Sequence, residues 1–169
     1  GRAPQIVLWQ GPGVKPWPLV VMPFALILVA AGVMSRNPSA VGQAGALKAE
    51  EPARGIIRVT RHPVMWGIAL WAGVHALARG DAASLVFFGS FVVLALAGTR
   101  LIDARKADSL GAEWARFAAV TSNVPFTAIV EGRNRLSWGE IGVKRVAVGL
   151  VLYAVIVLAH PWLFGVRAY

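Results

Sequence analysis

The sequence predicts an all-α protein, a polytopic membrane bundle of about four transmembrane helices with an amphipathic helix on the cytoplasmic side. Three observations lead there. Hydrophobic side chains make up 57% of the 169 residues and charged ones only 15%, against about 25% charged in a soluble domain. Four stretches approach the roughly 17–25 apolar residues that a helix needs to cross the hydrocarbon core. The 17 Lys and Arg residues also divide unevenly among the connecting segments, as the positive-inside rule requires.

The first stretch, Pro18 to Met34, is uncharged throughout. The second, Pro63 to Ala78, is short enough to be a buried core helix instead, so its assignment as a span rests on the charge pattern. The third, Ala82 to Ile102, is charged only at Arg100. Only Arg79, Gly80 and Asp81 separate it from the second, and so short a join forces an antiparallel helical hairpin. The fourth runs from Val146 to Phe164. Taking the linkers alternately as outside and inside puts 13 basic residues on one side and 4 on the other. The richer side is then cytoplasmic and both ends of this chain lie outside.

Between the third and fourth stretches, ARKADSLGAEWARFAAV places Ala107, Leu110, Trp114, Phe117 and Ala118 at helical spacing, with Arg105, Lys106, Asp108, Glu113 and Arg116 on the other side. This pattern predicts an amphipathic helix at the membrane surface or against the bundle. TSNVPFTAIVEGRNRLSW, which follows, reads as irregular. The chain opens at Gly1 with loop-like residues and no signal-peptide pattern, so an N-terminal portion is expected to precede it.

Composition removes several chemistries. There is no cysteine, so thiol nucleophiles, Cys-bound zinc, iron–sulfur clusters and disulfides are excluded. The net charge of +9 comes with a mean hydropathy of +0.62, which favours basic cytoplasmic loops over nucleic-acid binding. No Walker loop, nucleophile elbow or HExxH is present. Most of the seven Trp residues flank spans, where interface anchoring explains them.

Three histidines remain as candidates. His62, in TRHP, stands where a helix begins, since Pro63 fits a first helical turn. It is either a cap or a functional neutral imidazole at the cytoplasmic mouth of the second span. Asp103 adjoins the membrane end of the third span and could approach His62, fixing its tautomer. His62 and Asp103 are therefore the candidate catalytic pair.

His75 lies inside the second span, 13 residues and roughly 20 Å from His62. An ionisable residue within a membrane marks a functional site by default. With Ile68, Trp71 and Ala72 on its face, His75 suits a flat apolar ligand, and the alternative is an imidazole bonded to a neighbouring helix. His160, in LAHPWLF, is expected at a depth similar to His75. The two could hold one haem iron, noncovalently because no CxxCH exists, or His160 could simply precede Pro161 at a helix end. His75, Trp71 and His160 are thus the candidate cofactor-binding residues, with His75 the candidate metal ligand.

RVTRHPVMWGIALWAGVHALARGD, then FAAVTSNVPFTAIVEGR, then LAHPW together resemble the NnrU family of bacterial membrane proteins over essentially the whole chain, as one domain across residues 1–169. The same motifs resemble plant zeta-carotene isomerases of that superfamily, through His62, His75, Thr121 to Phe126, and His160. The resemblance implies a multi-pass protein of the bacterial inner membrane, associated with denitrification or with a redox-gated isomerisation. It also implies a haem b with His75 as axial ligand and the other ligand in an N-terminal helix that this chain lacks. The partners implied are membrane lipid, haem and an apolar small-molecule substrate, with no nucleic acid. RHPxxxG also resembles isoprenylcysteine carboxyl methyltransferases, which implies an alternative S-adenosylmethionine-dependent activity. There an acidic pair helps hold the cofactor, and only Asp103 stands near its position.

Overall fold

A computed structural model describes residues 6–9 and 13–166, and among these every regular element is helical. The elements are α1 (Trp17–Val33), a short 3-10 helix (Ala44–Lys48), α2 (Ile56–Val59), α3 (Pro63–Arg79), α4 (Ala82–Val120), α5 (Thr127–Val130), α6 (Trp138–Ile141) and α7 (Val143–Phe164).

Local chemistry sets most boundaries. Pro18 sits in the first turn of α1 and Pro63 opens α3, positions where the missing N–H is not needed. Gly80 ends α3 at φ 65° and Gly165 ends α7 at φ 70°, both left-handed. Asp81 caps α4, accepting from the Ser84 backbone N–H at 2.9 Å and from its hydroxyl at 2.7 Å. The Pro63–Arg79 and Ala82–Val120 helices therefore form the tight hairpin that their three-residue separation requires.

The four long helices lie in one row, in the order α7, α1, α3, α4. α1 packs against both α3 and α7, and α3 packs against α4. Small residues allow the close approach. A Cβ on Gly67 would lie 2.6 Å from Val29 Cγ2 and 2.7 Å from the Ala25 carbonyl oxygen of α1. On the other side of α1, a Cβ on Gly149 would lie 2.7 Å from Ile27 Cα. The same contacts make neighbouring helices antiparallel, because Gly32 meets Pro63 and Val64 while Gly67 meets Ala25.

The membrane expectation is met in a coarser form. Two helices, α4 and α7, are long and apolar enough to cross a membrane, where the sequence predicts about four. α1 and α3 have 17 residues each, roughly 25 Å against a hydrocarbon core of about 30 Å. α3 is also the more polar of these two, carrying His75, Arg79 and two glycines, Gly67 and Gly73, in place of the Leu and Val run of α1.

The amphipathic stretch is not one helix. Its first part continues the third apolar stretch, and Gly111 (φ 50°, ψ −121°) is non-helical, so α4 is two helices joined at a kink. Beyond the bend Trp114 and Phe117 are buried with Ala31, Ala53, Ile56, Ile57 and Val59, and Leu110 and Ala118 pack against them. The irregular 121–138 segment carries α5 and the start of α6. These pieces build a cap over one end of the row. Arg58 ties it together, donating to Glu140 at 2.7 and 3.0 Å, to Asn134 at 2.7 Å and to Glu51 at 2.5 Å. At the opposite end residues 6–9 lie across the α3–α4 turn. Leu8 and Trp9 donate their backbone N–H groups to Gly80, and Trp9 Nε1 donates to the Leu77 carbonyl at 2.8 Å.

Two outcomes are expected. Gly67→Val should lower the thermal stability of the detergent-solubilised protein by about 1–3 kcal/mol, because the α1 backbone leaves its Cβ no room. Arg58, by hydrogen bonding, lowers the Glu140 pKa from 4.5 to about 2. Folding lowers this pKa, so the contribution is full above about pH 4.5 and is lost as pH falls toward about 2. The difference in Tm between the native protein and Glu140→Gln should therefore shrink over that window.

Candidate functional site

The candidate residues occupy both ends of the row. At the capped end, the residues before α3 cannot join the helix, and their polar groups turn toward α4 and the 121–126 loop. His62 holds the N-cap position of α3 without a side-chain cap bond, so the structure makes it more than a helix terminator. It is 3% exposed, and its Nε2 lies 2.7 Å from Asp103 Oδ1. An ionised carboxylate only accepts, so Nε2 is the donor.

Arg61 reaches the same carboxylate with its fork, Nε to Oδ1 at 2.9 Å and Nη2 to Oδ2 at 2.7 Å. Asn123 adds its amide N–H to Oδ2 at 3.1 Å. Asp103 lies one residue past the apolar stretch 82–102. Burial opposes its ionisation, but hydrogen bonds from His62 and Arg61 outweigh burial and hold the carboxyl well below the usual carboxylate range.

The TSNVPF loop is built into this centre. The Asn123 carbonyl accepts from the Thr60 hydroxyl at 2.6 Å and from Trp66 Nε1 at 2.8 Å. The Ser122 carbonyl accepts the Arg61 N–H, and the Val59 carbonyl accepts the Phe126 N–H. Phe126 adopts φ 66°, a strained value for a bulky residue. An open groove of about 510 Å³ runs beside the cluster, lined in part by Arg61, Asn123, Thr127 and Arg133.

At the other end, His75 Nδ1 lies 2.7 Å from the Trp71 carbonyl oxygen one turn earlier. A carbonyl only accepts, so Nδ1 carries the proton and Nε2 of the neutral ring keeps its lone pair. This is the tautomer that a metal-ligating histidine needs. The surrounding wall is aromatic. The Trp71 centroid is 5.9 Å from that of His75, and Phe88 is 5.3 Å from His75 and 5.4 Å from Trp71. Phe91 packs edge-on to Trp71 at 5.4 Å.

His160 reaches this same end from α7. Its Nδ1 lies 2.7 Å from the Val166 carbonyl oxygen, and its ring packs on Phe164 at 4.7 Å. Pro161 is accommodated within α7, so His160 does not terminate the helix. α1 lies between α3 and α7, so His75 and His160 stand at the same end of the row on helices that are not neighbours. Among the described residues no group of three or more His, Asp or Glu forms a metal cage.

The structure thus brings His62 to Asp103 and Trp71 to His75, and keeps the two centres apart. Sequence reasoning missed Asn123, the hydrogen-bonding role of Arg61, and Phe88 and Phe91. Two motifs far apart in the chain, TRHP and TSNVPF, were the available signal for the first two. Asp103 is also a poor stand-in for the acidic pair of the methyltransferase reading, because both of its oxygens are already held by Arg61, His62 and Asn123.

Fold and site together define a class: an all-helical protein with two helices of membrane-crossing length, a histidine–aspartate centre under its polar cap and an aromatic-walled histidine at the far end. The particular family follows from the whole-chain match. Residues 1–168 fit the family described as NnrU protein, and the chain belongs to it. Over 82 residues it is 33% identical to 15-cis-zeta-carotene isomerase, chloroplastic, of Zea mays, and over 82 residues 35% identical to that of Arabidopsis thaliana. Each match covers 48% of this chain and 22% of the isomerase, so it spans about a fifth of those relatives. No solved structure matches.

Removing the carboxylate should leave Arg61 and buried His62 without their acceptor. Asp103→Ala is expected to cost roughly 3–5 kcal/mol of stability, measured by unfolding in detergent, with Asp103→Asn closer to the native protein because its amide oxygen still accepts.

Proposed function

We propose that the protein is an integral membrane protein of the bacterial inner membrane that binds haem b through His75 and acts on, or responds to, an apolar small molecule in the bilayer. One observation carries this reading. The His75 Nδ1–H is committed to the Trp71 carbonyl, which leaves Nε2 as a lone-pair donor on a ring flanked by Trp71 and Phe88. The donor chemistry fits a haem iron, with His75 Nε2 as the atom that would hold it. His160 is the candidate for a second contact, its Nδ1 being committed in the same way to Val166. When bound, haem supplies an iron whose coordination responds to its redox state.

The chain's own residues have separate tasks. Trp71 and Phe88 flank the half-buried imidazole, Phe91 backs Trp71, and together they offer flat surfaces to an apolar ligand. The His62–Asp103–Arg61 cluster fixes the start of α3, and hence the direction from which His75 is presented. Membrane insertion of the row is supported by the apolar side chains that α4 and α7 leave uncovered, such as Leu94 at 68% and Leu158 at 65% exposure. A water-soluble core helix would bury them.

Two physiological settings suit such a site: support of nitrite and nitric oxide reduction, as members of the NnrU family are associated with denitrification, or an isomerisation like that named for the plant relatives. Either would rest on a redox-responsive haem held at His75.

The absorption spectrum of the purified chain incubated with haem b tests this. A Soret band that shifts on reduction is expected. It should be lost or strongly altered in His75→Ala and retained in His62→Gln. A spectrum identical to free haem, or a band unchanged in His75→Ala, would reject the reading.

A further inference from the structure

An open groove lies on α4, away from both histidine centres. Gly98, Leu101, Ile102, Arg105, Asp108 and Ser109 line this groove of about 640 Å³. Their spacing of three, four and seven residues puts them on one face of the helix. This face is not the one that holds Thr99, Asp103 and Trp114 against the rest of the protein. Its lower part is apolar and uncovered, with Leu101 70% exposed. Its upper part carries opposite charges three residues apart, and among the described residues neither Arg105 nor Asp108 forms a hydrogen bond or an ion pair.

Depth decides what such a groove meets. On the membrane reading of the preceding section, from which this inference follows, the apolar stretch 82–102 is roughly 31 Å long and fills the hydrocarbon core. Arg105 and Asp108 then stand roughly 5 and 9 Å beyond its edge, among the lipid headgroups. A guanidinium there pairs with phosphate. A carboxylate beside it repels phosphate but attracts an ammonium. The Cβ atoms of residues three apart on a helix are about 5–6 Å from one another, a span suited to a phosphate and an amine joined by two carbons.

We propose that this groove binds a zwitterionic phospholipid carrying a primary ammonium, phosphatidylethanolamine. Its phosphate pairs with Arg105, its ammonium donates to Asp108 and Ser109, and one acyl chain descends along Leu101, past Gly98, whose missing side chain leaves room for Met65 of α3. An anionic lipid satisfies Arg105 alone and faces the Asp108 carboxylate. A choline lipid keeps the charge but has no N–H to donate.

Native mass spectrometry of the full chain in detergent, with phosphatidylethanolamine, phosphatidylglycerol and phosphatidylcholine added at equal concentration, tests this. The ethanolamine lipid should be retained roughly three- to tenfold over the other two. Asp108→Asn should bring that ratio near one, whereas Arg105→Gln should lower retention of all three lipids, because each carries the phosphate. Both side chains are exposed, and comparing headgroups on the unaltered chain needs no variant. Equal retention of all three lipids, or a preference that Asp108→Asn does not move, would overturn the site and leave the membrane reading standing. A chain that stays soluble without detergent and retains no lipid would overturn both.

Discussion

The Asp103 carboxylate is the point on which the capped end depends. It stands on α4 and gathers donors from the start of α3 through Arg61 and His62, and from the 121–126 loop through Asn123. Three segments that are distant in sequence are thereby held at one place. Each donor makes a modest net contribution, but a buried carboxylate without them would be very costly. The same logic operates at Arg58, where Glu51, Glu140 and Asn134 surround one buried guanidinium. Charge at this end is therefore organised in closed sets, with a single central ion and several neutral or opposite partners.

Below the cap the forces change character. α1 is the hub of the row, and its contacts with α3 and α7 depend on glycines at 67 and 149 that let backbones approach. Where lipid is the solvent, apolar burial adds little between helices, and close packing of small residues takes over. A row one helix thick has two broad faces and two edge helices. Most of the apolar surface of α4 and α7 consequently has no protein against it, and the bilayer is the environment in which that surface carries no penalty.

Much of this was legible in the sequence because the long helices announce their ends chemically. Pro63 reads as a helix start and the Arg79–Gly80–Asp81 join as a hairpin, and both behave so. The kink of α4 was not legible. Gly111 lies in the middle of the amphipathic run 104–120, where a glycine is tolerated in a continuous helix or marks a break, so only tertiary packing of Trp114 and Phe117 fixes the direction of the second half. α5 and α6 are single turns defined by their partners rather than by any period of their own. Asn123 was invisible for a related reason: an asparagine in a turn-rich loop has a local explanation, and its long-range bond to Asp103 leaves no mark on spacing. The aromatic wall was half visible, since Trp71 shares a helix with His75 while Phe88 and Phe91 come from the next one.

The two histidines of α3 show how the same side chain acquires different chemistry. At His62 the Nε2–H points into a carboxylate that also holds a guanidinium, so that nitrogen is committed to structure and the residue anchors its helix. At His75 the carbonyl of the preceding turn takes the Nδ1–H, an interaction that any helix can offer and that needs no other segment of the chain. Each ring therefore has one committed nitrogen and one, His62 Nδ1 and His75 Nε2, without a hydrogen-bond partner among the described residues. What separates the anchor from the candidate ligand is the partner of the committed nitrogen: at His62 a carboxylate shared with Arg61 and Asn123, which ties three segments together, and at His75 a carbonyl of its own helix, which ties nothing else to the ring and leaves it packed beside Phe88.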